Sequence, residues 1–416
     1  MMRNKTVFLG LTLALVGLAS GPQGEWSLGL GGQPAQAQEA LRPVVGAPLQ
    51  AAQNLIKAQK YKEALAKLRE ADAVGGKTAY ESFIIERMRG TAAAGAGDND
   101  TAARSYEAVV ASNRLQPAEQ LKIIEAIVGA YYRTKDYGKV ARWAQRYVNE
   151  GGTNPQVRTL LAQSQYLAGD CSGVIKSLKS EMAAGEGGGR APSEDQLQLL
   201  SNCHLKLKDY NGYSDALNRL IAYYPKKEHW ANAIGRVSRK PGFAGQLLLD
   251  VYRLKRATDT LQDTADYMEM TQLALQAGLP AEAKKVVDEG FARKALGAGE
   301  EAARHKRLLD LTTKQALDEQ KSLAQNETQA TDAKDGTALT NVGYAYITNG
   351  KYDKGITLIE KGIAKGGLRR PEDAKLHLGL AYLQAGNKAK AHSALKSVTG
   401  TDGAADLARL WMLQAR

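Results

Sequence analysis

The chain has 416 residues, 44% hydrophobic and 24% charged, proportions that supply ample core and argue against global disorder. Only 6% of it is aromatic, and the recurrent Ala, Leu, Lys and Glu favour helices over the Val, Ile and Thr-rich runs of sheets. The formal charge of +12 bears on solubility and on attraction to anionic partners, not on fold.

The N-terminus reads Met1-Met2-Arg3-Asn4-Lys5 followed by the apolar run Thr6 to Ala19. That run has the length of a signal-peptide core and is too short for a bilayer span. Residues 1–37 are therefore expected to be an export signal, with Ala35-Gln36-Ala37 as the small-x-small cleavage site and Gly17-Leu18-Ala19 as the other choice. Cleavage at Ala37 would remove Arg3, Lys5 and Glu25 and leave a charge of +11. The first Cys after the run is Cys171, so no lipidated N-terminal Cys is expected, and the mature chain should be soluble, in the periplasm or, as the other choice, secreted. Export also disfavours nucleic acid as a partner.

From residue 48 onward one template recurs: an amphipathic helix with a small residue in its apolar stripe, a tight turn, and a second amphipathic helix. The first copy carries Ala51-Ala52, Leu55, Ala64, Leu68 and Ala71, and the second Gly90, Ala93, Ala102, Tyr106 and Val109. The third has Ile127-Val128, Tyr131, Val140, Ala144 and Tyr147, and the fourth Leu161-Ala162, Gln165, Gly169, Val174 and Leu178. After the Gly-rich stretch Gly185 to Pro192, read as a loop, the fifth has Leu200-Ser201, His204, Tyr213, Leu217, Leu220 and Pro225.

A sixth clear copy has Met270-Thr271, Ala274, Gly278, Ala283, Val287 and Gly290. The last two run from Thr337 to Ile363 and from Asp373 to Val398, aligned on Gly343 and Gly379. In the former, Gly343, Gly355 and Gly362 are expected where two helices cross closely. The small-residue anchors fall at 52, 90, 128, 162, 201, 271, 343 and 379. Two of the steps are near twice the others, so eroded repeats are expected near 230–257 and 299–324. Residues 318–336 are polar and almost free of apolar side chains, and read as a linker or a frayed helix end between a block at 38–317 and one at 337–416.

These anchors resemble the tetratricopeptide pattern W-x2-L-G-x2-Y, then A-x3-F and a late Pro, over most of residues 48–400. They depart from it at the large first position, where Leu339, Lys375, Arg158 or Ile124 replaces Trp. The resemblance implies an all-α, right-handed α-solenoid of about ten helix-turn-helix repeats that binds proteins. It also implies that the first helix of each pair lines a concave groove. Carried onto this sequence, the groove positions include Lys57, Arg87, Lys122, Glu125, Tyr132, Arg133, Gln163, Tyr166, Asn202 and Lys206. The segment Pro48 to Ala73 further resembles the start of exported tetratricopeptide proteins of Gram-negative bacteria, some of which accompany TonB-type energy-coupling systems.

In that register Cys171 begins the second helix of the fourth repeat and Cys203 ends the first helix of the fifth, antiparallel neighbours in sequence. A Cys171–Cys203 disulfide closing a loop of about 33 residues would then contribute roughly 3–4 kcal/mol; two buried thiols are the other reading. The histidines His204, His229, His305, His377 and His392 lie in five separate segments without metal-site spacing, and His204 reads as a packed core imidazole. G-x-S-x-G, P-loop and H-E-x-x-H motifs are missing, so neither an enzyme nor a cofactor is expected. Basic clusters at Arg236 to Lys240, Arg253 to Arg256, Arg304 to Arg307 and Arg369-Arg370 would bind an anionic envelope polymer if they converged. The leading expectation is a scaffold that holds a protein segment in its groove.

Overall fold

The structure, a computed structural model, describes residues 40–416; the expected signal segment lies outside them. The described residues form twenty α-helices and no strand. Nine helical hairpins account for eighteen of them. In order these are α1 (Pro43–Lys57) with α2 (Tyr61–Asp72), α3 (Ala79–Ala96) with α4 (Asn99–Ala111), and α5 (Pro117–Arg133) with α6 (Tyr137–Asn149). Then come α7 (Pro155–Leu167) with α8 (Cys171–Gly187), α9 (Glu194–Lys206) with α10 (Tyr210–Tyr223), α11 (Lys227–Ser238) with α12 (Leu248–Ala257), and α13 (Thr264–Gln276) with α14 (Pro280–Ala292). A single long helix α15 (Ala302–Asp332) precedes α16 (Thr337–Thr348) with α17 (Tyr352–Lys365) and α18 (Pro371–Gln384) with α19 (Lys388–Lys396), and α20 (Ala404–Gln414) ends the chain.

The repeat register has a simple physical basis. All eight anchors are buried, and each pairs with a buried residue sixteen positions later on the second helix, as in Ala52 with Leu68, Ala162 with Leu178, Ser201 with Leu217 and Gly379 with Leu395. Small on one helix and large on the other is what lets the side chains interlock at interior density. Seven residues after every anchor the backbone enters the left-handed region: Gly97, Gly169, Gly278, Gly350 and Gly386 do so, and so do Gln59, Lys135 and Lys208. Asp98, Asp136, Asp209 and Asn387 then cap the second helix by accepting a backbone N–H.

The chain divides into two compact units, residues 40–184 of the described chain and 185–416. The break falls at the start of the Gly-rich stretch and not in 318–336. Residues 318–332, expected to be linker, belong to α15. The apolar content there is low, but Leu323 and Ala330 are spaced seven residues apart and both are buried, enough to seat the helix. Its polar groups do the rest: Glu319 accepts from the Ala281 N–H at 3.2 Å and from Asn349 Nδ2 at 2.9 Å, and Glu327 accepts from Tyr346 Oη at 2.7 Å. The eroded repeat expected at 230–257 is the hairpin of α11 and α12, whereas the one expected at 299–324 is no hairpin, because α15 runs through it unbroken.

In the unit formed by 185–416 the C-terminal helices fold back on the middle of the unit. α20 packs against α10, α11, α12 and α18; Lys240 Nζ bonds Asp406 at 2.7 Å and the Ala244 N–H bonds the Asp402 carbonyl at 2.9 Å. Lys285 Nζ donates to the Thr348 carbonyl at 2.6 Å. An odd helix between the seventh hairpin and the next changes which helices of later hairpins meet those of earlier ones, and here α16 and α18 reach the second helices α12 and α14.

Candidate functional site

In the unit up to residue 184, core formation decides which helix faces remain available. On α5 the residues Ile124, Ile127, Val128 and Tyr131 are buried, and the face beside them, six and three residues before the anchor and one, four and five after it, carries Lys122, Glu125, Gly129, Tyr132 and Arg133. The same positions supply Lys57 on α1, Arg87 on α3, and Gln163 with Tyr166 on α7, so eight of the ten expected groove residues share this face in one unit. Asn202 and Lys206 occupy it on α9 in the other unit and are exposed.

The side chains on this face differ in what they do. Arg87 forms an ion pair with Glu119 and lies 5.9 Å from the centre of the Phe83 ring, tying α3 to α5. Glu125 accepts the Tyr147 hydroxyl at 2.6 Å, and that hydroxyl in turn accepts the Asn154 N–H at 3.1 Å; burial and this carboxylate push the Tyr147 pKa up. These two residues hold the hairpins together. Lys57, Lys122 and Arg133 are exposed, and Tyr132, Gln163 and Tyr166 are half-buried. Tyr132 meets Tyr137 edge-on at 6.2 Å. The groove assignment missed Leu167, which is 55% exposed beside Tyr166 and holds the same register position as Arg133. The register alone would have found it.

The basic clusters are mostly engaged. Arg236 stacks on Tyr210 at 4.2 Å, Lys255 pairs with Asp266 and Arg256 with Glu289, both at 2.6 Å. Arg253 is buried: its Nε and Nη2 donate to Glu282 at 2.8 and 2.6 Å, its Nη1 donates to Asp250 at 2.7 Å, and it lies 4.6 Å from the Tyr344 ring centre. His377 Nε2 is 3.0 Å from Asp250. Helices α12, α14, α16 and α18 therefore meet around one guanidinium. Burial alone would raise the Asp250 pKa, yet the charges of His377 and Arg253 hold it down at about 2.

That depression predicts an acid response. Asp250 stabilises the fold fully above the ordinary carboxylate range near pH 4, and the contribution is lost as pH falls from about 4 to about 2. Thermal melting of the chain between pH 5 and pH 2 should show a steeper fall in Tm than melting of an Asp250→Asn variant; parallel curves would rule out the contribution. Glu81, held down to about 2 by Arg42 and by the Thr78 N–H, adds a response that both proteins share.

Glu194, Glu228 and His229 bring ligand-type atoms within 4.8 Å of one another. Lys226 Nζ already bonds both Glu194 oxygens at 2.7 and 2.8 Å, and His229 Nε2 lies 2.9 Å from the same carboxylate. The charge a metal would need is neutralised by an ammonium. His204 is a packed imidazole 2.7 Å from Asp209. Cys171, at the start of α8, and Cys203, on α9, are both buried.

Among known proteins, no family model matches the chain and no curated protein matches it. The chain is similar to solved tetratricopeptide repeat proteins. One is a tetratricopeptide repeat protein from Parabacteroides merdae, at 10% identity over 81% of this chain and 98% of that one, with a TM-score of 0.30. Another is the structure of Naa15/Naa10 bound to HypK-THB, at 14% identity, 85% and 58% coverage and a TM-score of 0.30. A third is yeast Tom70, at 11% identity, 89% and 95% coverage and a TM-score of 0.24. At such values the all-α helical-repeat architecture rests on the chain's own hairpins and their shared register.

Proposed function

We propose that the chain is a non-enzymatic scaffold of the Gram-negative periplasm that holds a protein segment along the inner faces of α1, α3, α5 and α7. The observation that carries this reading is the alignment, at one register position after another, of Lys57, Lys122, Tyr132, Arg133, Gln163, Tyr166 and Leu167 on helix faces that stay exposed or half-buried beside the core, Tyr132 packing against its edge. Cations beside tyrosines and an exposed leucine suit a segment with acidic and apolar residues, bound through a few side-chain anchors. An anionic polymer has less support, because the central basic clusters are spent on carboxylates and on Tyr210.

The test is affinity capture from an envelope extract with the natural chain and with a Tyr132→Ala, Arg133→Ala, Tyr166→Ala variant. Arg133 is exposed and Tyr132 and Tyr166 are half-buried, so circular dichroism first checks that the helical content is kept, and at least one captured protein should be lost. Identical captures would sink the assignment. Fusion of residues 1–37 to a reporter that matures only after export tests the compartment, and capture of a TonB-type component would place the scaffold beside such a system.

A further inference from the structure

A second candidate surface lies wholly within the unit of residues 185–416, and α15 creates it. Met268, Gln272 and Leu275 stand three residues before and one and four residues after the anchor Thr271, on the face of α13 that α14 does not cover. Alongside them α15 presents Leu308 and Leu311, and together with Arg304 and Arg307 these line a depression of about 280 Å³. It shares Leu275 with a larger groove of about 790 Å³ that continues past Leu279 to Asp318, Glu319 and Asn326 and reaches α16 at Val342. The trough follows α15 from Arg304 to Asn326, roughly 33 Å at the helical rise.

Three features define its occupant. On one wall Met268 and Leu275 stand seven residues apart and on the other Leu308 and Leu311 three apart, same-face spacings that suit a helix laid between two helices. Leu311 remains 44% exposed, a large apolar group left to water by the chain itself. The charges are segregated: Arg304 and Arg307 stand at one end, Arg304 with Glu301 2.9 Å from its Nη1, and Asp318 and Glu319 lie about two-thirds of the way along. Glu319 has one carboxylate oxygen buried and without a hydrogen-bond partner, and burial raises its pKa.

We propose that the trough between α13 and α15 binds an amphipathic α-helix of a partner protein, its apolar stripe on Met268, Leu275, Leu308 and Leu311 and its acidic end against Arg304 and Arg307. This surface is separate from the one on α1 to α7, and either can fail without the other.

The probe is a synthetic amphipathic helix with a leucine stripe and a run of glutamates at one end, titrated against the chain by fluorescence anisotropy. Saturable binding is expected, weakened about tenfold by Arg304→Glu with Arg307→Glu and also weakened by Leu311→Asp. A peptide with lysines in place of the glutamates should prefer the charge-reversed chain. Circular dichroism checks that these exposed substitutions keep the helices. Equal binding by the natural and charge-reversed chains, or no saturable binding, overturns the proposal. So does equal binding of a polyglutamate lacking the leucines, which would make the surface a charge patch. A change in self-association on Leu311→Asp with peptide affinity unaltered would assign the trough to a second copy of this chain.

Discussion

Arg253→Met should be among the most damaging single substitutions in this chain, costing about 3–5 kcal/mol in the unit of residues 185–416. The guanidinium sits between the carboxylates of Asp250 and Glu282, all three largely out of water. Removing it leaves two buried acids, Asp250 keeping only the His377 Nε2 contact at 3.0 Å. Met replaces much of the Arg volume, so lost packing is the smaller part of the cost. The damage should be local: hydrogen exchange should quicken in α12, α14, α16 and α18, which meet at this residue, and stay slow in α1 to α6. A triple change of Asp250→Leu, Arg253→Met and Glu282→Leu should recover much of the stability, since apolar replacement of a whole buried ion cluster is often close to neutral. A urea midpoint for Arg253→Met equal to that of the natural chain would refute this account of the cluster.

The second large effect belongs to Gly343. A Cβ placed there would lie 2.8 Å from the Gly355 carbonyl oxygen and 2.9 Å from the Ile359 amide nitrogen. These are backbone atoms of α17, which no rotamer change can move aside. Alanine is the better helix former by about 1 kcal/mol, but overpacking against backbone costs typically 1–3 kcal/mol or more, so Gly343→Ala should destabilise and Gly343→Leu should open the α16–α17 hairpin. Gly129 supplies the control. It is also inside a helix, yet its Cβ would meet only the tip of Arg133 at 3.8 Å, so Gly129→Ala should be neutral or stabilising. The Gly343→Ala melt should therefore fall below that of the natural chain and the Gly129→Ala melt should lie at or above it. A Gly343→Ala melt at or above that of the natural chain would show that the two helices can separate at little cost.

Much of the hairpin architecture was legible because it is local. Each anchor, its turn and its second helix span fewer than forty residues, and a buried pair sixteen residues apart repeats in all eight clear copies, reversed in size at Val128 and Ala144. The three turns without glycine were harder to see: Gln59, Lys135 and Lys208 adopt the left-handed conformation that glycine announces elsewhere, and only the register reveals them. The reading failed at α15. Counting apolar residues marked 318–336 as linker, because a helix held by Leu323, Ala330 and a few carboxylates offers a weak stripe, and its partners Ala281, Tyr346 and Asn349 are distant in sequence.

The candidate groove was legible to the extent that it follows from register. Lys57, Lys122, Tyr132, Arg133, Gln163 and Tyr166 fall on the face that core positions leave over. Sequence could not separate these from Arg87 and Glu125, whose partners Glu119 and Tyr147 lie on other helices or at their start. Nor could it tell that the run Arg253 to Arg256 is no surface patch. A cation in a helical sequence looks solvated until the carboxylates that enclose it are brought in from elsewhere.

The sequence by itself determined the helical class, the repeat period, the hairpin register and the positions of close helix crossing, all governed by side-chain size and spacing within one or two helices. The tertiary structure alone decided where the chain divides, that α15 is continuous, that α20 and α18 return to α12, and that Arg253 is buried. The return of α18 and α20 depends on contacts between residues more than a hundred positions apart, such as Asp250 with His377 and Lys240 with Asp406, and the continuity of α15 and the burial of Arg253 depend on carboxylate partnerships 19 to 38 positions apart, for which a local pattern carries no signal.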